Sequence, residues 1–181
     1  MTLETFIARA QTLGMGALRV TDMAACRAAV ADIVGDGPAL IDEIPGLEGL
    51  GVTPPEDPWD AAIGVSEAFS AAADAGAVAL VQAAGSPRRT SLLPLNHVVV
   101  VRAERIRDTY QEMVDDIAAL DPPPTGVQLI SGASRSGDIE SAMIHGMHGP
   151  RHVSFVIVCS APTCACTSVP SGQPLLAGRE G

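Results

Sequence analysis

The sequence predicts a single three-layer α/β domain whose sheet is mainly parallel. The chain has 181 residues, which is enough for one domain with its own core and short for two. Its last third contains three apolar runs, at residues 97–101, 127–130 and 153–158, with helical patterns between them. Strands and helices that alternate at this spacing are typical of right-handed crossovers and of a parallel sheet covered on both faces.

Two helices and a short strand are predicted in the first quarter of the chain. Thr2 precedes a helical stripe of apolar residues that Gly14 ends. The second helix begins near Asp22 and ends at Gly35. Cys26 lies on the apolar face of this helix, where we expect it to pack in the core rather than to take part in chemistry. Residues 38–42 follow as a short strand.

The middle of the chain begins with a long loop. Residues 45–58 are dense in Pro, Gly and acids, and a loop of this length indicates function or mobility. Trp59, the only tryptophan, closes it. Strand-like segments of small residues follow from residue 61, and residues 77–81 are the clearest strand before a turn at 85–87.

The last third has the plainest pattern. The continuous apolar run at 97–101 suits a strand buried on both faces. A helix is predicted over 106–120, a break at 121–124, a second buried strand at 127–130, a helix at about 138–145 and a third strand at 153–158. The domain is therefore expected to span residues 1–158. The Ser, Pro, Gly and Thr content of residues 159–181 predicts a disordered tail.

Composition excludes several classes of function. The net charge of −10 repels a phosphate backbone, so we expect no nucleic-acid binding. All 11 basic residues are Arg, which excludes Schiff-base chemistry, a pyridoxal phosphate anchor and a phosphate-binding Walker lysine. No apolar stretch is long enough to span a membrane and the N-terminus does not resemble a signal peptide, so we expect a cytoplasmic protein with reduced cysteines.

Residues 131–138 are a candidate ligand-binding loop. They follow a predicted parallel strand, and open α/β sheets bind ligands at the carboxyl edge. Small residues allow a ligand to approach the backbone, and Arg135 can bind a carboxylate or phosphate through two nitrogens. The alternative is an ordinary turn with Asp138 as the helix N-cap. Arg88 and Arg89 are either a solvated pair or a second contact to the ligand.

Histidines and cysteines near the C-terminus can suggest a metal site. His145 and His148 have a helical spacing that can share a metal, but Gly146 and Gly149 end the helix and separate the rings. We therefore interpret His148 as a residue for hydrogen bonding or proton transfer. Three tail cysteines, Cys159, Cys164 and Cys166, match no usual cluster spacing and lack a fourth ligand. We expect no cofactor in this chain.

Three stretches in a fixed order, residues 91–100, 130–140 and 145–151, resemble the LUD domain family, specifically the C-type lactate utilization proteins. The similarity runs from about Phe6 to Val158. The resemblance implies a fold related to sugar-phosphate isomerases and CoA transferases. It also implies a role in the oxidation of L-lactate to pyruvate beside an iron–sulfur subunit and a cysteine-rich subunit, which would hold the redox clusters.

The candidate site is drawn from these motifs. Its expected catalytic residues are Asp138, Glu140 and His148, and its expected ligand-binding residues are Ser131, Gly132, Ser134, Arg135, His97 and Gly149. The chain departs from the family pattern at two places. Ala75 and Ala77 flank Gly76 where the family usually has Thr-Gly-Thr, and Ala133 stands where proline is usual.

Three functions fit the sequence. The first is a non-cluster subunit of a lactate-oxidising system that binds a small carboxylate or its partner proteins. The second is a stand-alone enzyme of the transferase or isomerase kind, with Asp138 or Glu140 as the acting carboxylate. The third is a regulatory domain whose pocket has decayed, which the alanines at 75 and 77 favour.

Overall fold

The computed structural model describes residues 2–82, 88–132 and 149–159, together with the backbone of 135–136 and 144–145. The helices are α1 (Thr2–Thr12), α2 (Met23–Val34), α3 (Arg89–Leu92) and α4 (Tyr110–Ala118). The strands are β1 (Gly16–Val20), β2 (Ala39–Ile41), β3 (Ile63–Glu67), β4 (Ser70–Ala72), β5 (Ala77–Gln82), β6 (Asn96–Arg102), β7 (Ile106–Arg107), β8 (Gly126–Ile130), β9 (Arg135–Ser136), β10 (Ile144–His145) and β11 (His152–Val158). Short 3-10 turns occupy Pro58–Asp60 and Ala103–Arg105.

Five strands form an all-parallel sheet in the order β1-β11-β6-β3-β2. Its two longest strands, β6 and β11, lie side by side near the centre. Every residue from Val98 to Val101 is fully buried, as are those from Phe155 to Val158. The predictions of strands buried on both faces at 97–101 and 153–158 are therefore confirmed.

A second sheet, of mixed direction, has the order β7-β4-β5-β8. β5 is antiparallel to both β4 and β8, whereas β4 and β7 are parallel. It packs against one face of the parallel sheet, where Val78 and Leu80 of β5 meet Val99 and Phe155 in one apolar cluster. The sequence predicts an α/β domain with a mainly parallel sheet, and that class is confirmed. This second sheet was not anticipated.

Helices cover the outer faces of the two sheets. α2 packs on the parallel sheet through Cys26 and Val30, which cluster with Val98 and Val156. α4 covers the second sheet, where Met113 packs on Ala72 and Ala79. α1 closes the side of the molecule next to β1 and β7. Its Phe6 ring stacks on Phe155 with centroids 5.2 Å apart.

Local capping signals explain the starts of two helices. The Asp22 side chain accepts a hydrogen bond from the Ala25 N–H and begins α2, and Gly35 ends that helix. Thr109 and Glu112 form a capping box at the start of α4. That box explains why the helix predicted over 106–120 begins only at Tyr110. Ile106 instead belongs to the short strand β7.

Two predictions in the last third are wrong. Residues 127–130 were expected in a strand buried within the parallel sheet, but β8 is the edge strand of the second sheet. Val127 and Leu129 of this strand are 40% and 45% exposed. The helix predicted over about 138–145 cannot end as expected, since Ile144 and His145 pair antiparallel with Ser136 and Arg135. The rest of that segment lies outside the described residues.

One close approach between backbones positions α3 over the parallel sheet. A Cβ added to Gly64 would lie 1.8 Å from the carbonyl oxygen of Thr90, so only glycine fits at this point of β3. The contact holds α3 across β3 and β2. It thereby also sets the position of Arg89, the first residue of α3.

The C-terminal limit of the described core is Cys159. This residue is buried, and its backbone N–H donates to the carbonyl of Val20 at 2.9 Å. Residues 160–181, most of the predicted tail, lie outside the described residues. In the part of the chain that the structure describes, no helix is both long and apolar enough to cross a bilayer.

Candidate functional site

Ser131 and Gly132 are the described start of the predicted ligand-binding loop. Ser131 is exposed, and its hydroxyl donates to the Ala75 carbonyl at 3.2 Å. Gly132 has a φ of 111° and lies against the end of α1, since a Cβ added there would be 3.5 Å from the Leu13 carbonyl oxygen. The structure thus brings the start of the loop beside the segment at 74–77 where the chain departs from the family pattern.

The turn at Gly149, which follows the predicted loop in the chain, lies at the amino ends of parallel strands. Gly149 has a φ of 121°, and the Arg151 N–H donates to the carbonyl of Leu95 just before β6. Leu13, beside the loop's start, comes just before β1. The sequence placed this loop at the carboxyl edge of a parallel strand. That placement is wrong, because β8, which leads into the loop, is antiparallel to β5, the strand beside it in the second sheet.

His97 is held in the interior. Its Nε2 is 3.1 Å from the hydroxyl of Ser66, and its buried Nδ1 has no hydrogen-bond partner among the described residues. Burial lowers the pKa of His97 to about 4, so the imidazole is neutral at physiological pH. With 1% of its surface exposed, the ring reaches no open surface in this conformation. No hydrogen bond between described residues joins it to Ser131, Gly132 or Gly149.

The other predicted site residues cannot be compared with the structure. Ser134, Asp138, Glu140 and His148 lie outside the described residues. Arg135 is described only by its backbone, which pairs with His145 in the two-stranded β9–β10 ladder. Their catalytic and ligand-binding roles stay predictions.

The structure contains a large cleft that the motifs did not indicate. We call it the carboxyl-edge cleft, because Asp42, Glu67 and Arg102 line it where β2, β3 and β6 end. The opposite wall is formed by the end of β5 and the segment at 120–125. Its volume is about 1200 Å³. Open α/β sheets place their ligands at this edge, so the cleft is the strongest described candidate for a binding site.

An ion pair forms part of the cleft wall. Arg102 donates from Nε to the Glu67 carboxylate at 2.5 Å, and both side chains are about three-quarters buried. A second nitrogen of Arg102 donates to the Pro45 carbonyl at 3.3 Å. This arginine therefore joins the ends of β3 and β6 to the long loop predicted at 45–58.

A second arginine holds the same loop. Arg27 of α2 donates to the carbonyl of Glu48 and, at 2.7 Å, to that of Gly49. The Glu48 side chain also accepts from the Gly46 N–H at 2.9 Å. The loop therefore has a defined course beside the cleft although it has little regular secondary structure.

Two further arginines line the cleft without a carboxylate partner among the described residues. Arg105 lies over the ring of Phe69, with its guanidinium carbon 5.6 Å from the ring centroid. The nearby carboxylate of Asp116 is already bound by two nitrogens of Arg107, at 2.6 and 3.1 Å. Arg89 projects from α3 and is exposed. Both arginines therefore have donors available to an anion.

The sequence did signal these residues, but weakly. Arg102 comes directly after the strand predicted at 97–101, and Glu67 lies within the strand-like segments that begin at residue 61. Parallel strands present charged groups to a ligand where they end. The sequence also offers Arg89 as a ligand contact, but it does not indicate Arg105. What the sequence lacked was the order of the strands, because only neighbouring strands bring these side chains into one cleft.

Neither a metal site nor an activated Cys26 thiol is present among the described residues. Among the described residues, no group of three or more His, Cys, Asp and Glu side chains is placed to hold a metal ion. Cys26 lies in the core as predicted, and burial raises the pKa of its thiol to about 11. A thiol with this pKa is a poor nucleophile at neutral pH.

Comparison with known proteins identifies the family. The model of the LUD domain matches residues 56–158, which is more than half of the chain. The chain belongs to the LUD domain family. This LUD domain includes β3 to β11, and with them the Glu67–Arg102 pair and all three motif stretches.

Several relatives carry the name Lactate utilization protein C. The protein from Exiguobacterium is 35% identical over 100 residues, which cover 53% of this chain and 44% of that protein. The protein from Macrococcus caseolyticus is 30% identical over 121 residues, covering 65% of this chain and 50% of the relative. This LUD protein thus spans about half the length of the relatives it matches.

A solved structure supports the fold. The crystal structure of a DUF162 family protein from Deinococcus radiodurans aligns with a TM-score of 0.67 and covers 87% of this chain and 96% of that one. The sequences are 24% identical. At this identity the likeness shows a shared fold and carries no statement about a ligand.

Proposed function

We propose that this chain is a non-cluster component of an L-lactate utilization system. The observation that carries the proposal is the LUD domain match over residues 56–158, supported by relatives named Lactate utilization protein C. In this proposal the oxidation of lactate to pyruvate is shared with an iron–sulfur subunit and a cysteine-rich subunit, which carry the redox clusters. The chain itself carries no cofactor.

Within such a system the chain would bind a small carboxylate or hold its partner subunits. The described arginines of the carboxyl-edge cleft support a carboxylate, since guanidinium groups without acid partners are suited to bind one. The loop at 131–140 remains a second proposed contact. There Arg135 would bind the ligand, His148 would transfer a proton, and Asp138 or Glu140 would act as the carboxylate base.

Growth on lactate tests the proposed pathway. A strain that lacks the gene should fail to grow with L-lactate as sole carbon source and should grow normally on glucose. The gene on a plasmid should restore growth on lactate. Equal growth of the deletion strain on both carbon sources would refute a role in lactate utilization.

The same assay tests the predicted loop. Arg135→Ala and His148→Ala should each impair growth on lactate while protein abundance, measured by immunoblot, stays unchanged. His152→Ala removes an exposed histidine at the start of β11 and serves as the matched control. Normal growth of both loop variants would remove these residues from the site and leave the pathway assignment intact.

Affinity purification tests the proposed partners. The tagged chain, isolated from lactate-grown cells, should copurify with an iron–sulfur protein and a cysteine-rich protein that are absent from glucose-grown controls. Recovery of the chain without either protein, from cells that do express both, would contradict a stable complex.

A stand-alone enzyme is the second candidate, and Glu67 is the observation that favours it. This carboxylate lies at the carboxyl edge of β3, in the cleft, with Arg102 holding one oxygen. The family resemblance points to relatives of CoA transferases and sugar-phosphate isomerases, which act alone. Purified protein incubated with acyl-CoA and carboxylate pairs or with sugar phosphates should then show turnover that Glu67→Gln abolishes. Absence of turnover would leave the pathway role as the remaining proposal.

A further inference from the structure

We infer that the carboxyl-edge cleft binds an organic acid with an apolar part much larger than the methyl group of lactate, and that Arg105 is the main contact for its carboxylate. The inference rests on the proposed function in taking the ligand to be a carboxylate, and it replaces the small acid by a larger one at this cleft. It adds the class of acid and the residues that bind it.

The size of the cleft argues against lactate as its full occupant. Sites that bury most of a drug-sized ligand have volumes of roughly 300–1,000 Å³. The cleft, at about 1200 Å³, exceeds that range. Lactate would therefore leave most of the walls exposed to water, and an acid that fills the cleft must be considerably larger.

The walls are largely apolar. Leu40, Ile44, Phe69, Val81 and Leu120 line the cleft, and three consecutive prolines at 122–124 complete that side. Burial of apolar ligand surface against such walls contributes roughly 25 cal/mol per Å². An apolar chain therefore gains affinity here that a short acid cannot.

Arg105 is the best-prepared contact for the acid group. Its guanidinium lies over the ring of Phe69, and the carboxylate of Asp116 is already hydrogen-bonded by Arg107 and by the hydroxyl of Ser70. Arg102 is already committed to Glu67 and Pro45. Arg89, on α3, supplies a second positive charge at the cleft.

The cleft is less acidic than the chain as a whole. The whole chain has 21 acidic and 11 basic residues, yet the cleft is lined by three arginines against three carboxylates, Asp42, Glu43 and Glu67. Because Glu67 is paired with Arg102, the guanidinium groups of Arg89 and Arg105 remain for a ligand. An acid would place its carboxylate against Arg105.

Calorimetric titration of the full chain tests this inference with three probes. Octanoate carries both the carboxylate and an apolar chain, lactate carries the carboxylate with a methyl group, and 1-octanol carries the chain without charge. We expect octanoate to bind at least tenfold more tightly than lactate or 1-octanol. Equal affinity for lactate and octanoate would overturn the class of acid, and equal affinity for 1-octanol would overturn the carboxylate contact.

Substitutions locate the site. Arg105→Met should weaken octanoate binding by about tenfold or more, since it removes charge-assisted hydrogen bonds but keeps much of the apolar stem. Arg151→Met removes an exposed arginine at the amino edge and should bind like the unaltered chain. Unchanged affinity in a folded Arg105→Met variant would place the ligand elsewhere.

Two further measurements test the inference if the Arg105→Met variant does not fold. Arg89→Met should weaken binding by a smaller factor. In the unaltered chain labelled with ¹⁵N, octanoate should shift the amide resonances of Ala68, Thr90 and Thr125, which line the cleft, and not those of Ser131 or Gly149. Shifts confined to the latter pair would overturn the inference. Growth on lactate tests the pathway separately, so a failed titration leaves that proposal standing.

Discussion

Acid should destabilise this protein through His97 before most carboxylates begin to titrate. The imidazole is buried, and desolvation lowers its pKa to about 4. In the unfolded chain the pKa of a histidine is about 6.5. The folded state therefore excludes a proton that the unfolded state accepts.

The sign and size of the effect follow from proton linkage. Above about pH 6.5 the imidazole is neutral in both states and contributes no pH dependence. As the pH falls from there toward about 4, only the unfolded state binds the proton, and each pH unit lowers the free energy of unfolding by about 1.4 kcal/mol. A shift from 6.5 to about 4 gives a total loss of about 3 kcal/mol. Below the folded pKa the contribution becomes constant.

Urea unfolding followed by circular dichroism measures this loss. The free energy of unfolding of the unaltered chain and of His97→Gln should be compared between about pH 7 and about pH 4.5, an interval that spans most of the transition. Glutamine cannot titrate but can still bond the Ser66 hydroxyl. The unaltered chain should lose about 2–3 kcal/mol more than the variant over this interval. Taking the difference cancels acid effects that both chains share.

A matched control isolates burial as the cause. His152→Gln removes an exposed histidine and should leave the pH dependence of the unaltered chain unchanged. The free energies of unfolding of the unaltered chain and of His97→Gln could instead differ by the same amount at both ends of the pH interval. His97 would then have to bind a proton as readily in the folded state as in the unfolded state. That result would refute the reasoning. His97→Asn offers a second comparison if the glutamine variant does not fold.

Gly64→Ala should destabilise the fold by roughly 1–3 kcal/mol or more, since its Cβ would lie 1.8 Å from the Thr90 carbonyl, whereas Gly37→Ala, with its nearest atom at 3.7 Å, should be nearly neutral. Equal urea midpoints for the two variants would contradict the close approach of α3 to β3. Truncation after Ala161 should leave the melting temperature within a few degrees, about the effect of a sub-kilocalorie change, and a large drop would show that the tail packs. Protein purified without oxygen should contain neither iron nor flavin by metal analysis and visible absorption, and stoichiometric iron would overturn the expected role of the tail cysteines.

Local sequence signals were sufficient for several elements of the fold. The start of α2 could be predicted because the Asp22 carboxylate bonds a backbone N–H only three residues away, and its end because Gly35 adopts a φ of 59°. The strands β6 and β11 were predictable because runs of fully buried valine and isoleucine suit only the interior of a sheet. The cap joins residues that are close in sequence, and the burial of the two strands does not depend on which strand lies beside them.

The position of β8 was not predictable from its composition. The short, mostly apolar run at 127–130 fits a central parallel strand as well as an edge strand, because its composition does not state which strand is the neighbour. β8 pairs with β5, so it is antiparallel and belongs to the second sheet. The start of the loop that follows, at Ser131 and Gly132, therefore lies at the end of α1 and not at the predicted carboxyl edge of a parallel strand.

For the candidate site, the sequence by itself determined the residue types, and the tertiary structure determined which of them meet. The sequence identified the motifs of the LUD domain and excluded lysine chemistry, because residue identity alone decides both. Glu67 and Arg102 are 35 positions apart and meet only because β3 and β6 are neighbours in the parallel sheet. Strand order is the outcome of packing whole apolar faces together, and no local pattern encodes it.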